Sequence, residues 1–471
     1  MKKFWKPEYL VSLAGCGLII YLLFVGPFIG VADNGDFLRM MNTIGLNYYD
    51  TAASYTDQFF NFSHSHFAYE NLFRGFYPSS QILVVLVPRL IGGLIHGSFF
   101  DVRLLGAVYG LLLLVATWLL VKYNARGSYV TGLLLGAALL FVFYDIGYLA
   151  YFNSLFGEPV SMVFMLLTFA LGLRLTSQEK PTTKGLTLFF IAILFLVTSK
   201  IQNAPIGIAF ALIFLRFMTL DGERKWRKLA LRFSIAIFLV SIVMYVTAPK
   251  ELKHINLYQT VFFGILNESP DVKGDLQDLG LPERLEVLAG TNYFQTDTVI
   301  KQDDPSLVPD FYDRVSHKDV LFFYLKHPGR LIDNMEYAAS NSMAIRPYYL
   351  GNYEKSENKP VGALSYTYSG WSEFKNKHIP HTLGFLTIFY LVYFAVAVFQ
   401  YFRSRDVRGR VAGELLMLLG LIGIFSFLVP ILGDGRADIG KHLFLFNVCF
   451  DMMVVVMFGW VVHKVVGIVR R

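Results

Sequence analysis

The sequence predicts an all-α polytopic membrane protein with about ten transmembrane helices, a long first outer loop and a large late outer loop. Three observations predict it. Apolar runs of about 18–22 residues recur along the chain, the length a helix needs to cross a bilayer. Of 471 residues, 55% are hydrophobic and 16% charged, whereas a soluble domain has roughly 45–50% apolar and about 25% charged residues. Lys and Arg concentrate in short connections between the runs, as the positive-inside rule expects of cytoplasmic loops.

The net charge of +7 is therefore read as a topological bias. The expected partner is the lipid bilayer, not nucleic acid. The two cysteines, Cys16 and Cys449, both lie inside apolar runs, so neither a disulfide framework nor a metal site is expected from them.

Taken in order, the basic start MKKFWK stays inside and the first span covers about 9–32. LAGC at 13–16 matches a lipoprotein processing box, but the run continues to Val31, which suits an uncleaved span. Asp33 and Asp36 then emerge outside. In the segment 33–101, the run QILVVLVPRLIGGLIHG is short and interrupted by Pro88 and Arg89. If it spanned, every later basic loop would face outward, so it is read as a helix lying on the outer surface or dipping in. KYNAR, RLTSQEKPTTK and ERKWRKLALR then fall inside, while YDIGYLAYFNSLFGEP and TSKIQN fall outside. The polar stretch 249–380 is outside, RSRDVRGR inside, GDGRADIGKH outside and HKVVGIVRR inside. The resulting organisation is a module 1–248 with seven spans and the outer loop 33–101, a large extracytoplasmic loop 249–380, and a three-span region 381–471. Both termini are cytoplasmic.

Three charged stretches, far apart in sequence, thus meet one face. In ADNGDFLRM, Asp33 and Asp36 can point into a cleft from an Asn-Gly turn, where a carboxylate can act as general base on a hydroxyl. Arg39 can pair with an acid or hold a phosphate. In FNSLFGEP, Asn153 and Glu158 precede a span, and Glu158 also suits the positive end of that helix. In LGDGRADIGKHLF, Asp434, Arg436, Asp438, Lys441 and His442 cluster at a helix end, where the cations suit an anionic lipid phosphate. Each stretch also has a purely structural account: a turn, a helix cap, a salt-bridged loop. His64 and His66 do not have helical ligand spacing and are read as surface or core residues. Acids beside cations at the membrane rim suit a substrate with a lipid tail and a phosphate head.

The order of ADNGDF, a surface helix, FNSLFGEP and GDGRADIGKH resembles the GT-C fold glycosyltransferases, and within them a bacterial subgroup that decorates cell-surface polysaccharides or teichoic acids. The chain has DNGD where many of those enzymes have an adjacent acidic pair. The resemblance implies inverting transfer of a sugar from a polyprenyl-phosphate (undecaprenyl-phosphate) donor to a hydroxyl of a cell-surface glycan, on the outer face of the plasma membrane. It implies Asp33 as base ahead of Asp36, with Glu158 as a second acid. Arg39, Lys200, Arg436, Lys441 and His442 would meet the donor phosphate. Asn34, Asn153, Asp434, Asp438, Arg346 and Tyr348 would meet the sugar or acceptor. No cofactor is required, although a divalent metal such as Mg or Mn is used by some members. A cytoplasmic polyprenyl-phosphate sugar synthase and a flippase would be functional partners. A glycan-lipid transporter or flippase and a non-catalytic envelope assembly protein are the competing readings.

Overall fold

The computed structural model describes residues 6–125 and 128–469. The basic residues at 1–5, Arg126 and the arginines 470 and 471, which contribute to the expected topology, lie outside the described residues. The chain is a multi-pass membrane protein and is mostly helical. Among the described residues, six helices are long and apolar enough to cross a membrane: Arg103–Asn124, Glu158–Ser177, Arg224–Val246, Leu383–Arg403, Val407–Asp434 and Phe444–Val469. A seventh candidate is the pair Tyr129–Phe143 and Ile146–Asn153, bent by 53°. The three remaining expected spans coincide with the shorter apolar helices Pro7–Leu23, Thr183–Val197 and Ile206–Phe217. Six or seven is thus the number that length and composition give, against an expectation of ten.

The first polar segment is not wholly helical. It contains a three-stranded antiparallel sheet: β1 (Leu46–Tyr48), β2 (His66–Tyr69) and β3 (Phe99–Asp101), in that order. Its inner face, with Leu46, Tyr48, Phe67 and Phe100, is buried in the main core. The all-α expectation is corrected here. Strands of three or four residues alternate for too short a distance to register as a period.

The run that follows forms the helix Gln81–Ile95, with Pro88 inside it. Val84, Val85, Pro88 and Gly92 are buried, while Leu83, Leu90 and Leu94 are exposed. At 15 residues it falls short of the ~20 a span requires. An exposed apolar face on such a helix suits a membrane surface.

The late segment has two parts. Residues between 257 and 324 pack around Leu257, Phe262, Leu285, Phe311 and Phe323 into a separate apolar cluster. The rest returns to the main core. Gly30 and Ala32 donate to the carbonyls of Asn352 and Gly351 at 3.0 and 2.9 Å. A Cβ at Gly351 would collide with the Asn61 carbonyl, so only glycine lets this loop pack so closely against the segment at 60–61. The helix Gly370–His378 then plugs into the bundle. Its Lys375, fully buried, donates to Asp451 at 2.6 Å. Tyr148 and Trp371 donate to the other Asp451 oxygen at 2.6 and 2.9 Å.

Breaking a buried ion pair leaves an uncompensated charge. Lys375→Met is expected to lower unfolding free energy in detergent by about 3–5 kcal/mol. The double variant Lys375→Met, Asp451→Leu should be more stable than Lys375→Met alone, which equilibrium unfolding of the purified chain checks.

Candidate functional site

The stretch GVADNGDFLR leaves the first helix as an extended strand-like segment held by residues 351 and 352. Asp33 ends that segment. Its Oδ1 accepts from the Gly35 and Phe37 amides at 2.8 and 3.1 Å, tying the turn to the first residue of the helix Phe37–Ile44. Gly35 takes φ +102°, a conformation that excludes most side chains. The Tyr48 hydroxyl, carried in by β1, donates to Asp33 Oδ2. Asp33 is fully buried. Burial raises its carboxyl to about 6, against the opposing pull of these hydrogen bonds.

Asp36 faces the other way. Lys441 Nζ pairs with one of its oxygens, and Arg39 Nη2 lies 3.0 Å from the other. Burial opposes its ionisation, but the two cations outweigh it and hold the carboxyl far below the usual carboxylate range. Lys441 also donates to Asn34 Oδ1 at 3.1 Å and lies over the Phe156 ring at 4.4 Å. Asn34 donates to Asp438 at 3.0 Å, and Tyr349 donates to the other Asp438 oxygen. Burial works against the charge on Lys441, yet Asp36, Asp438 and Glu158 keep its pKa above the ordinary lysine value.

Glu158 stands at the first position of its helix, where the helix dipole favours an anion. It pairs with Lys200 at 2.5 Å. Its second oxygen is buried and has no hydrogen-bond partner among the described residues. His442 lies 2.8 Å from Asp434. Burial disfavours the imidazolium, but Asp434 overrides this and raises the His442 pKa. Beside this cluster opens a narrow cleft of about 30 Å³, lined among others by Asp36, Arg39, Tyr77, Gln81, Glu158 and Lys200. That is room for a water or a single phosphate oxygen, in a setting of alternating acids and bases.

The structure therefore brings together Asn34, Asp36, Arg39, Glu158, Lys200, Asp438 and Lys441, with the Asp434–His442 pair alongside. Five other expected site residues lie elsewhere. Asp33 stands behind the cleft and fixes the turn that carries Asp36. Asn153 donates to the Ile29 carbonyl at 2.9 Å, tying the first segment down. Arg346 is buried, donates to Asn352 and Ser365, and stacks over Tyr366. Tyr348 reaches Glu373 at 3.5 Å. Arg436 pairs with Glu268 at 2.6 Å and donates to Asn334. For these last four, the hydrogen-bond and ion-pair partners named here come from their own surroundings and not from the cleft.

Four contributors were not singled out from sequence: Tyr48, Tyr77, Gln81 and Tyr349. Tyr77 lies 5.9 Å from the Arg39 guanidinium. Gln81 donates to the Leu155 and Phe156 carbonyls at 2.7 and 2.8 Å, fixing the loop before Glu158. Tyr349 adjoins the flagged Tyr348, and Tyr77 precedes the surface helix, so position alone offered a weak signal for both.

A family model describing the YfdI N-terminal transmembrane domain matches residues 1–471. The chain belongs to that family. No curated protein matches it. Among the described residues of this YfdI-family chain, no three His, Cys, Asp or Glu side chains converge, and Asp36 and Glu158 each face a lysine.

The raised Asp33 carboxyl makes the stability of the fold depend on pH. The folded carboxyl titrates near 6 and the unfolded one near 3.8, so the folded state holds the proton more tightly. Stability from this group is greatest below about 3.8 and is lost as pH rises through about 6, by roughly 3 kcal/mol in all. Asp33→Asn carries no such titration. The Tm of Asp33→Asn minus that of the wild type should therefore increase between pH 4 and pH 7 and level off above, as thermal unfolding across that range checks.

Proposed function

We propose that this chain is an extracytoplasmic glycosyltransferase of GT-C type, moving a sugar from a polyprenyl-phosphate donor to a hydroxyl of a cell-surface glycan or teichoic acid. The observation that carries the reading is the pair of cations Arg39 and Lys200 lining one cleft at the ends of apolar helices, each held against a carboxylate, with Lys441 buried beside them on Asp36. A lipid-phosphate headgroup is the ligand such a setting suits. The reading places the cleft on the outer face of the plasma membrane. A cytoplasmic synthase and a flippase would supply the donor.

In the absence of an anion, the carboxylates hold the cations. When the donor phosphate docks over the cleft with one oxygen inside it, Arg39, Lys200 and Lys441 turn to its oxygens. Asp36 loses its counterions, its pKa rises, and it becomes a competent base. The acceptor hydroxyl then attacks the anomeric carbon from the face opposite the phosphate. A carbon–oxygen bond to the acceptor forms, and the bond to the phosphate breaks with its electron pair going to the phosphate oxygen. The hydroxyl proton passes to Asp36. The three cations stabilise the charge that develops on the leaving group. Asp33, with Tyr48, holds the turn that aims Asp36. Glu158 keeps Lys200 in place.

Loss of the chain should remove one sugar from the cell-surface glycan, and the wild-type gene should restore it. Asp36→Asn, at normal abundance, should lower incorporation on the order of 100-fold or more, and Asp33→Asn should lower it less. Purified protein in detergent, given a synthetic polyprenyl-phosphate sugar and surface polymer, should transfer the sugar. Restoration by Asp36→Asn at wild-type level sinks the catalytic role, and absence of transfer in detergent favours a transporter, which needs two membrane sides.

A further inference from the structure

The helices Arg103–Asn124, Tyr129–Phe143, Glu158–Ser177, Leu383–Arg403, Val407–Asp434 and Phe444–Val469 enclose a second, larger space. It is a chamber of about 360 Å³, within the usual range of ligand cavities. Most of its wall is apolar, including Leu135, Leu139, Phe143, Leu166, Phe169 and Met452. One end is polar, with Asn124, Ser177, Gln400, Ser404 and Arg408. Asn124 and Ser177 are the last residues of their helices, and Arg408 opens another. Glu158 begins the helix that Ser177 ends. The polar mouth is therefore at the opposite end of the bundle from the cleft.

Depth and chemistry both point to one class of ligand. Leu166 and Ser177 line the chamber on one helix, and their separation in sequence corresponds to roughly 16 Å of rise. That is half of the ~30 Å hydrocarbon core, the length of one leaflet's chains. Near the mouth, Gln400 Nε2 and Trp460 Nε1 are buried donors with no hydrogen-bond partner among the described residues. Buried donors left unpaired are costly, so these call for acceptor oxygens. Arg408 spends one nitrogen on the Gln178 carbonyl at 3.1 Å and lies 3.7 Å from Asp406. Arg408 thus puts a positive charge into the lining of the mouth.

We propose that the chamber takes an acyl chain of an anionic glycerophospholipid, with phosphate and ester oxygens at Gln400, Trp460 and Arg408. It is a lipid site separate from the cleft and independent of any transfer reaction there. An apolar shaft the length of one leaflet, ending in donors and positive charge, matches such a lipid in shape, polarity and sign.

The full chain, equilibrated in vesicles of phosphatidylglycerol and phosphatidylcholine, is released into the gas phase and its retained lipid is weighed by native mass spectrometry. The wild type should retain a single phosphatidylglycerol in several-fold preference to phosphatidylcholine. Gly459 lines the chamber, and a Cβ there would sit 3.6 Å from Leu135. Gly459→Phe should fill the space and reduce retention on the order of tenfold. Arg408→Gln should abolish the preference between the two lipids while the shaft stays open. Should Gly459→Phe fail to fold, as judged by Tm, Ala412→Leu on the same wall replaces it. The proposal is overturned if the wild type retains no lipid, if chamber-filling leaves retention unchanged in a folded variant, if Arg408→Gln keeps the preference, or if a polyprenyl phosphate displaces phosphatidylglycerol.

Discussion

A lysine ammonium cannot be left alone in an apolar interior, and that constraint organises one end of this molecule. Lys441 is 1% exposed. Its charge survives there only because Asp36, Asn34 and Asp438 surround it. Two of those partners come from the start of the chain and one from its last quarter, so satisfying a single cation forces the two to meet. The rest of that end can be traced from this requirement. Asp33 caps the turn that presents Asp36 and Asn34. The sheet delivers Tyr48 to Asp33. The late loop runs alongside the first extended segment and contributes Tyr349 to Asp438.

Two lysine–carboxylate pairs make an instructive contrast. Lys375 meets Asp451 where Tyr148 and Trp371 already occupy the second carboxylate oxygen. Burial pushes Lys375 below the ordinary lysine pKa despite its partner, and the assembly is sealed. Lys200 meets Glu158 with one carboxylate oxygen left over, and both line an open cleft. A fully satisfied network rigidifies. One with spare valence beside a cavity is able to exchange a protein partner for a ligand. This difference, more than the presence of charge, separates the anchor of the late loop from the candidate site.

The charged stretches were legible because charge beside an apolar run is conspicuous. Topology counted from Lys and Arg put Asp36, Glu158 and Lys441 on one face, and in the structure their side chains share one ion-pair cluster. What sequence could not convey was which side chains within those stretches turn inward. Asn153 sits five residues from Glu158, yet its amide ties down the Ile29 carbonyl. Arg436 sits five residues from Lys441, yet it reaches Glu268 and Asn334. Helix and turn geometry rotate neighbours in sequence to different faces, and the partners they find lie more than a hundred residues away. Tyr48 was invisible for a related reason: its role depends on strand pairing between segments too short to show a pattern.

The positions of the cleft and the chamber limit what one ligand can do. An amphiphile whose phosphate sits between Arg39, Lys200 and Lys441 has its head at the Glu158 end of the bundle. The chamber opens at the other end, beside Ser177 and Arg408, and reaches only about halfway across the hydrocarbon core. A tail leaving the cleft would have to enter the chamber through its closed, apolar end. The exposed side of Gln81–Ile95, with Leu83, Leu90 and Leu94, offers an apolar surface on a helix whose first residue already lines the cleft. Under the proposed reading, a donor lipid lying along that helix would keep its head at the cations and its tail in the bilayer, and would leave the chamber to a lipid of the opposite leaflet.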